Sequence, residues 1–118
     1  MGTAREIVEF LRTNVPVFAD FTDERLAGLV GGSRVVSFEA NEALAHQGSE
    51  PTHFYVILSG TVTASVAGEG GLRQDLGQLE AGGTFGEMAL MTGDTLLADF
   101  IAASRCEALF IPVSLLQS

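Results

Sequence analysis

The segment Phe85-Gly86-Glu87-Met88-Ala89-Leu90 holds the residue types in this chain best suited to gripping a small ligand. Glycine admits backbone conformations that other residues resist, Glu87 offers a carboxylate acceptor, and Met88-Ala89-Leu90 can wind into one helical turn. Such a turn leaves unpaired backbone N–H groups at its start, and those favour an anion. Thr92-Gly93-Asp94 then signals a turn into a strand-like run from Leu96 to Ala102. Gly86, Glu87 and the N–H groups of Met88 and Ala89, with Phe85 beside them, make a candidate cradle for a ligand carrying hydroxyls and negative charge.

The other reactive side chains lack partners at useful spacing. His46 and His53 stand apart across a turn-rich stretch, whereas a bound divalent metal needs three or more convergent ligands. Cys106 has no histidine near it in sequence, no Gly-x-Ser-x-Gly elbow occurs, and a chain without lysine has no Walker-type loop. Neither catalysis, nor a metal, nor a cofactor is expected of this chain.

Composition sets the outer bounds. A chain of 118 residues, 47% hydrophobic, fits one domain with a self-sufficient core. Its net charge is −9, and its six basic residues, Arg5, Arg12, Arg25, Arg34, Arg73 and Arg105, are scattered rather than clustered, which argues against nucleic-acid binding. The single cysteine fits a reducing compartment and sits in an apolar strand, where burial is the expectation. The sequence shows no signal peptide or spanning segment, and Glu6 stands where a myristoylation signal wants Ser or Thr. A cytoplasmic domain with no membrane contact through this chain is expected.

The elements that must position the cradle are legible in order. Thr3-Ala4-Arg5-Glu6 is a capping-box pattern opening a helix with Ile7, Phe10 and Leu11 on one face, ending near Asn14 before Pro16. Thr22 caps a second helix whose inner face offers Leu26, Leu29 and Val30, and Gly31-Gly32 stops it. From Arg34 the chain turns to short β-like runs, near 34–38, 43–46, 53–58, 61–67, 72–79, 96–103 and 107–111, broken by glycine-rich or turn-forming residues. Many short, evenly spaced strands predict a mainly β fold with flanking helices: an antiparallel jelly-roll barrel, or double-stranded β-helix, preceded by two short N-terminal helices.

In this context Phe85 to Ser104 resembles the phosphate-binding cassette of the cyclic-nucleotide-binding domain family, where Phe-Gly-Glu-(Leu/Met)-Ala-Leu is followed by Pro-Arg-x-Ala-Thr-Val. The family includes the catabolite activator protein, protein kinase A regulatory subunits and cyclic-nucleotide-gated channels. Here Phe85, Gly86, Glu87, Met88, Ala89, Leu90 and Ala98 match the motif. The PVF and FTDERLAGL opening, the HFYVILSGTVTAS hairpin and the LEAGGTFGE approach are similar too, so the resemblance covers nearly the whole chain. It implies one domain over 1–118: a helical cap over 1–32, a jelly roll over 33–111 containing a cassette at 85–100, and the start of a truncated C-terminal helix at 112–118. By the same resemblance Glu87 would accept from a ribose hydroxyl. The family continues with helices that fold over the base, so either this chain is a fragment or the lid is supplied elsewhere.

Where the motif has Pro-Arg, this chain has Thr95-Leu96, followed by Leu97 and then Asp99 at the position of the threonine. In the family that arginine pairs with the cyclic phosphate through a planar, doubly donating fork. Leucine donates nothing, a loss of about 1.5–3 kcal/mol that weakens binding about ten- to a hundredfold. An Asp99 carboxylate about 6 Å from a phosphate would add about 3 kcal/mol of repulsion at an effective dielectric of about 20. Leu97, Asp99 and Ile101 share one strand face and Leu96, Ala98 and Phe100 the other, and the sequence leaves open which face meets the ligand.

Two functions follow. The first is a non-catalytic sensor that takes cAMP, cGMP or another small anionic ligand weakly and controls an effector region outside this chain. The second is a degenerate module that binds no nucleotide and serves as a protein–protein or intramolecular contact, as in the EAG-type channels of the family. Leu96→Arg together with Asp99→Thr is expected to create or strengthen nucleotide binding.

Overall fold

The computed structural model describes residues 2–50 and 52–116, the side chains of residues 88–90 excepted. Pro51 and the last two positions of the expected C-terminal helix lie outside the described residues. Thr3 caps α1 (Ala4–Asn14), its hydroxyl oxygen accepting from the Glu6 N–H at 3.2 Å. Only half of the capping box forms, because the Glu6 carboxylate accepts from the Thr3 hydroxyl rather than from backbone. Thr22 caps α2 (Asp23–Gly31) through the Arg25 N–H at 3.1 Å. Between them Pro16-Val17-Phe18 winds a single 3₁₀ turn that plants Phe18 in the core, 1% exposed.

Eight strands follow among the described residues: β1 (Arg34–Phe38), β2 (Ala43–Ala45), β3 (His53–Ser59), β4 (Val62–Ala67), β5 (Arg73–Leu79), β6 (Thr84–Phe85), β7 (Asp99–Ala102) and β8 (Cys106–Pro112). They form two four-stranded antiparallel sheets, ordered β1-β8-β3-β6 and β2-β7-β4-β5. This is the jelly-roll architecture that the strand spacing predicts. The helix α3 (Glu87–Thr92) sits between β6 and β7, and α4 (Val113–Leu116) follows β8.

Side-chain alternation along β3 and β8 explains two cores. Phe54, Val56 and Leu58 of β3, with Leu109 and Ile111 of β8, face outward and pack beneath Ile7, Leu11, Phe18, Leu26 and Leu29 of the helical cap. Tyr55 and Ile57, with Cys106 and Ala108, face the other sheet and meet Leu44, Val62, Phe85, Leu96 and Ala102. One sheet is thus buried on both faces, the other on one. Each fully buried Leu, Ile or Phe contributes about 1.5–3 kcal/mol.

Two departures from the expected strands matter. The run expected from Leu96 starts as regular strand only at Asp99, because Leu96 pairs instead with the loop after β2: its N–H donates to Ser49 and its carbonyl accepts from Gly48, both at 2.9 Å. The two-residue β6 was too short for periodicity to reveal. The Ser59-Gly60 hairpin stands as expected, with Gly60 at φ +84° and the carbonyl of Arg105 where a Cβ would collide with it. Among the described residues no helix is long and apolar enough to cross a membrane.

Candidate functional site

The site begins at β6. Thr84 and Phe85 pair with Val56 and Tyr55 of β3, which fixes where the chain enters the cassette. Gly86 then adopts φ +97°, and a Cβ there would lie 2.9 Å from the His53 carbonyl and 3.2 Å from the Tyr55 ring. Only glycine lets α3 start so close to β3. The helix has six residues, little more than a turn and a half, with Glu87 first and exposed. Met88 and Ala89 belong to it by backbone; their side chains lie outside the described part of the structure. Thr92-Gly93-Asp94 reverses the chain as expected, with Gly93 at φ +78° and the Asp94 N–H donating to the Thr92 hydroxyl at 3.2 Å.

These segments enclose a cavity of about 380 Å³. Phe85, Gly86 and Glu87 form one side, Thr95, Leu96 and Leu97 another, and Leu76 to Leu79 of β5 face them, with Ala64 and Phe100 also on the wall. Of the expected cradle, Phe85, Gly86 and Glu87 therefore share one wall system with Thr95, Leu96 and Leu97, three of the four positions that differ from the family motif. Among the described lining residues Glu87 and Asp94 carry charge, and neither arginine nor histidine is present. Leu96 is 5% exposed and belongs to the core between the sheets. Phe85 lies between two rings, 4.4 Å from Tyr55 and 3.8 Å from Phe100, both nearly parallel to it.

Asp99 is the fourth position, and the structure places it away from the cavity wall. Leu96, Ala98, Phe100 and Ala102 point inward, so Asp99 points out of the barrel. There its carboxylate accepts from the Gln47 N–H at 2.6 Å and from the Arg73 guanidinium at 2.5 Å. Arg73 also donates to the buried Ser65 hydroxyl at 2.7 Å, and His46 Nδ1 lies 3.8 Å from Asp99. The Gln47 hydrogen bond first, and the Arg73 contact next, hold the Asp99 carboxyl below its ordinary value. The repulsion that an inward Asp99 would have exerted on a phosphate is thus absent; the leucine at 96 remains.

The residues weighed for catalysis are dispersed. His46 is exposed beside Asp99, while His53 packs against Tyr55 and Phe110 with its Nδ1 2.9 Å from the Thr52 hydroxyl. Burial, with Arg34 nearby, lowers the His53 value. Cys106 is buried as expected, and burial together with Glu42 pushes its thiol up, opposite to the activation a nucleophile needs. No cluster of three metal-ligating side chains occurs among the described residues.

Sequence reasoning missed β5 as a cavity wall, and Asp94 as a second carboxylate there. The β5 wall is brought by pairing with β4, Val62 opposite Leu79 and Thr63 opposite Gln78, a long-range register that local pattern does not carry. Asp94 stood in plain view within the turn signal, which reads the same whether or not a cavity lies beside it.

Residues 35–118 match the family model of the cyclic nucleotide-binding domain. The fold is similar to that of the Toxoplasma gondii protein kinase A regulatory domain in complex with cAMP, at 21% identity and a TM-score of 0.86, over 97% of this chain and 44% of that one. A cyclic nucleotide-binding-like protein from Brucella abortus is 29% identical, with a TM-score of 0.81 over 95% of both chains. The sensor domain of the transcriptional regulator DNR from Pseudomonas aeruginosa is 19% identical, with a TM-score of 0.88 over 98% of this chain and 77% of that one. The chain thus spans less than half of the Toxoplasma structure and nearly all of the Brucella one.

Proposed function

The chain belongs to the cyclic nucleotide-binding domain family, and on that premise we propose a non-catalytic, cytoplasmic sensor domain that controls an effector region outside this chain and takes cyclic nucleotides weakly. The observation that carries the reading is Leu96: the position that holds a phosphate-pairing arginine in the family motif lines the cavity here with a buried alkyl side chain. A phosphate seated there would leave water without gaining a charge-assisted donor. Glu87 remains on the wall with Gly86 and Phe85, so a hydroxyl-bearing ligand keeps an acceptor. Ligand binding would act by ordering the segment from α3 to β7, through which the cavity meets the rest of the barrel.

Calorimetric titration with cAMP and cGMP tests this. The expected outcome is saturable binding only in the millimolar range, weakened further by Glu87→Ala. Tight, submicromolar binding would contradict the proposed role of Leu96.

A second reading is favoured by one surface feature. Leu72, Leu76, Met91 and Leu97 are 75%, 57%, 85% and 71% exposed, and Leu76 and Leu97 stand at the cavity itself. A degenerate module that binds no nucleotide and docks on protein would use such a surface. Flat titrations with a folded protein would favour it.

A further inference from the structure

We infer that this cavity selects flat, apolar ligands whose polar end is a neutral or cationic hydrogen-bond donor, and that it discriminates against anions. The inference rests on reading the cavity as the ligand site, and three independent features of its wall carry it. The first is charge: Glu87 and Asp94 face the space, both acceptor-only when ionised, and no cationic side chain is among the described lining residues. Arg73, the basic residue of β5, is bound to Asp99 and Ser65 outside the lining. The second is the wall at Leu96, 5% exposed within the core, whose alkyl side chain donates nothing to a ligand's charged oxygen; the donors beside it on the wall, at Gln78, Thr84 and Thr95, are neutral and do not offset the two carboxylates.

The third is aromatic. Phe100 is half-buried, lines the cavity and ends the run of parallel rings from Tyr55 through Phe85. Such a ring favours a second flat ring or a cation near its face. Leu76 and Leu97 extend the apolar wall to the solvent-exposed side. A donor directed at Glu87 or Asp94 satisfies an acceptor; a positive donor adds attraction, and a phosphate reverses its sign. The volume of about 380 Å³ is that of a small-molecule site.

A matched series isolates charge from shape: 5′-amino-5′-deoxyadenosine, adenosine and adenosine 5′-monophosphate share one ring and sugar and differ in sign. By calorimetry at low ionic strength the amine should bind tightest and the phosphate weakest, with about tenfold between neighbours. Salt at about 1 M should compress the series. Glu87→Gln with Asp94→Asn, both at exposed positions, should bring all three to within about threefold. A series ordered the other way, or equal affinities in the wild type, overturns the inference. So does silence from all three at millimolar concentration, and cAMP then separates the cases. Binding of cAMP beside a silent or reversed series would leave the sensor reading standing, while silence from cAMP as well would pass the cavity to the docking reading.

Discussion

Strands β3 and β5 have seven residues each and sit in opposite sheets, yet five consecutive residues of β3, Phe54 to Leu58, are buried while Arg73 to Gln78 of β5 are exposed. The difference follows from what covers each sheet. β3 has the helical cap on one face and the opposing sheet on the other, so each side chain from Phe54 to Leu58 finds an apolar partner. β5 is an edge strand, and its Leu76 to Leu79 stretch borders the cavity instead of a packed layer. The chain therefore divides its labour between a sheet sealed for stability and a sheet left open on the side where a ligand or partner can approach.

Substitutions on the two sides should diverge accordingly. The largest expected loss is Phe18→Ala, which removes a ring packed edge-on against Phe21 and Phe54, at 5.1 and 5.8 Å, and should cost about 3–5 kcal/mol in chemical denaturation. A cost under about 1 kcal/mol would mean that the helical cap is loosely held.

Asp99→Asn, on the outer face of the open sheet, comes next. It weakens the contacts with Gln47 and Arg73 and should cost about 1–2 kcal/mol at neutral pH, the half-exposed Arg73 keeping the figure low. Because the folded carboxyl titrates below its ordinary value of 3.8, its contribution is present above that pH and lost as pH falls through the lower, folded value. Wild-type and variant stabilities should converge on acidification. A gap that persists unchanged below the folded value would assign the loss to packing.

Leu76→Ser is expected to have the smallest effect on stability, within about 0.5 kcal/mol, because the side chain is 57% exposed. The same substitution should measurably weaken any ligand of the cavity, since Leu76 is part of its wall. Equal losses from Phe18→Ala and Leu76→Ser would erase the distinction between the sheets.

The sealed half was the more legible. Its helices carry caps at Thr3 and Thr22, its apolar faces repeat at helical spacing, and the strand expected over 53–58 stands as β3. The cassette was legible as residues but not as geometry. Alternation along the 96–102 segment puts Leu96 and Asp99 on opposite faces, yet which face looks inward depends on how β7 pairs with β4, Ser65 opposite Asp99 and Ala64 opposite Phe100. With that register in hand, the expected double variant reduces to its first member: Asp99 already points away from the cavity, and replacing it would only loosen its contacts with Gln47 and Arg73.

Leu96→Arg, titrated with cAMP beside the wild type, tests the central claim most directly. The arginine would place its guanidinium on the cavity wall, where Glu87 can draw part of its charge but a phosphate can still take the fork. We expect cAMP affinity to rise about ten- to a hundredfold over the wild type. Unchanged affinity in a folded Leu96→Arg protein, or a wild type that already binds cAMP tightly, would contradict the claim that this one side chain sets the preference of the cavity.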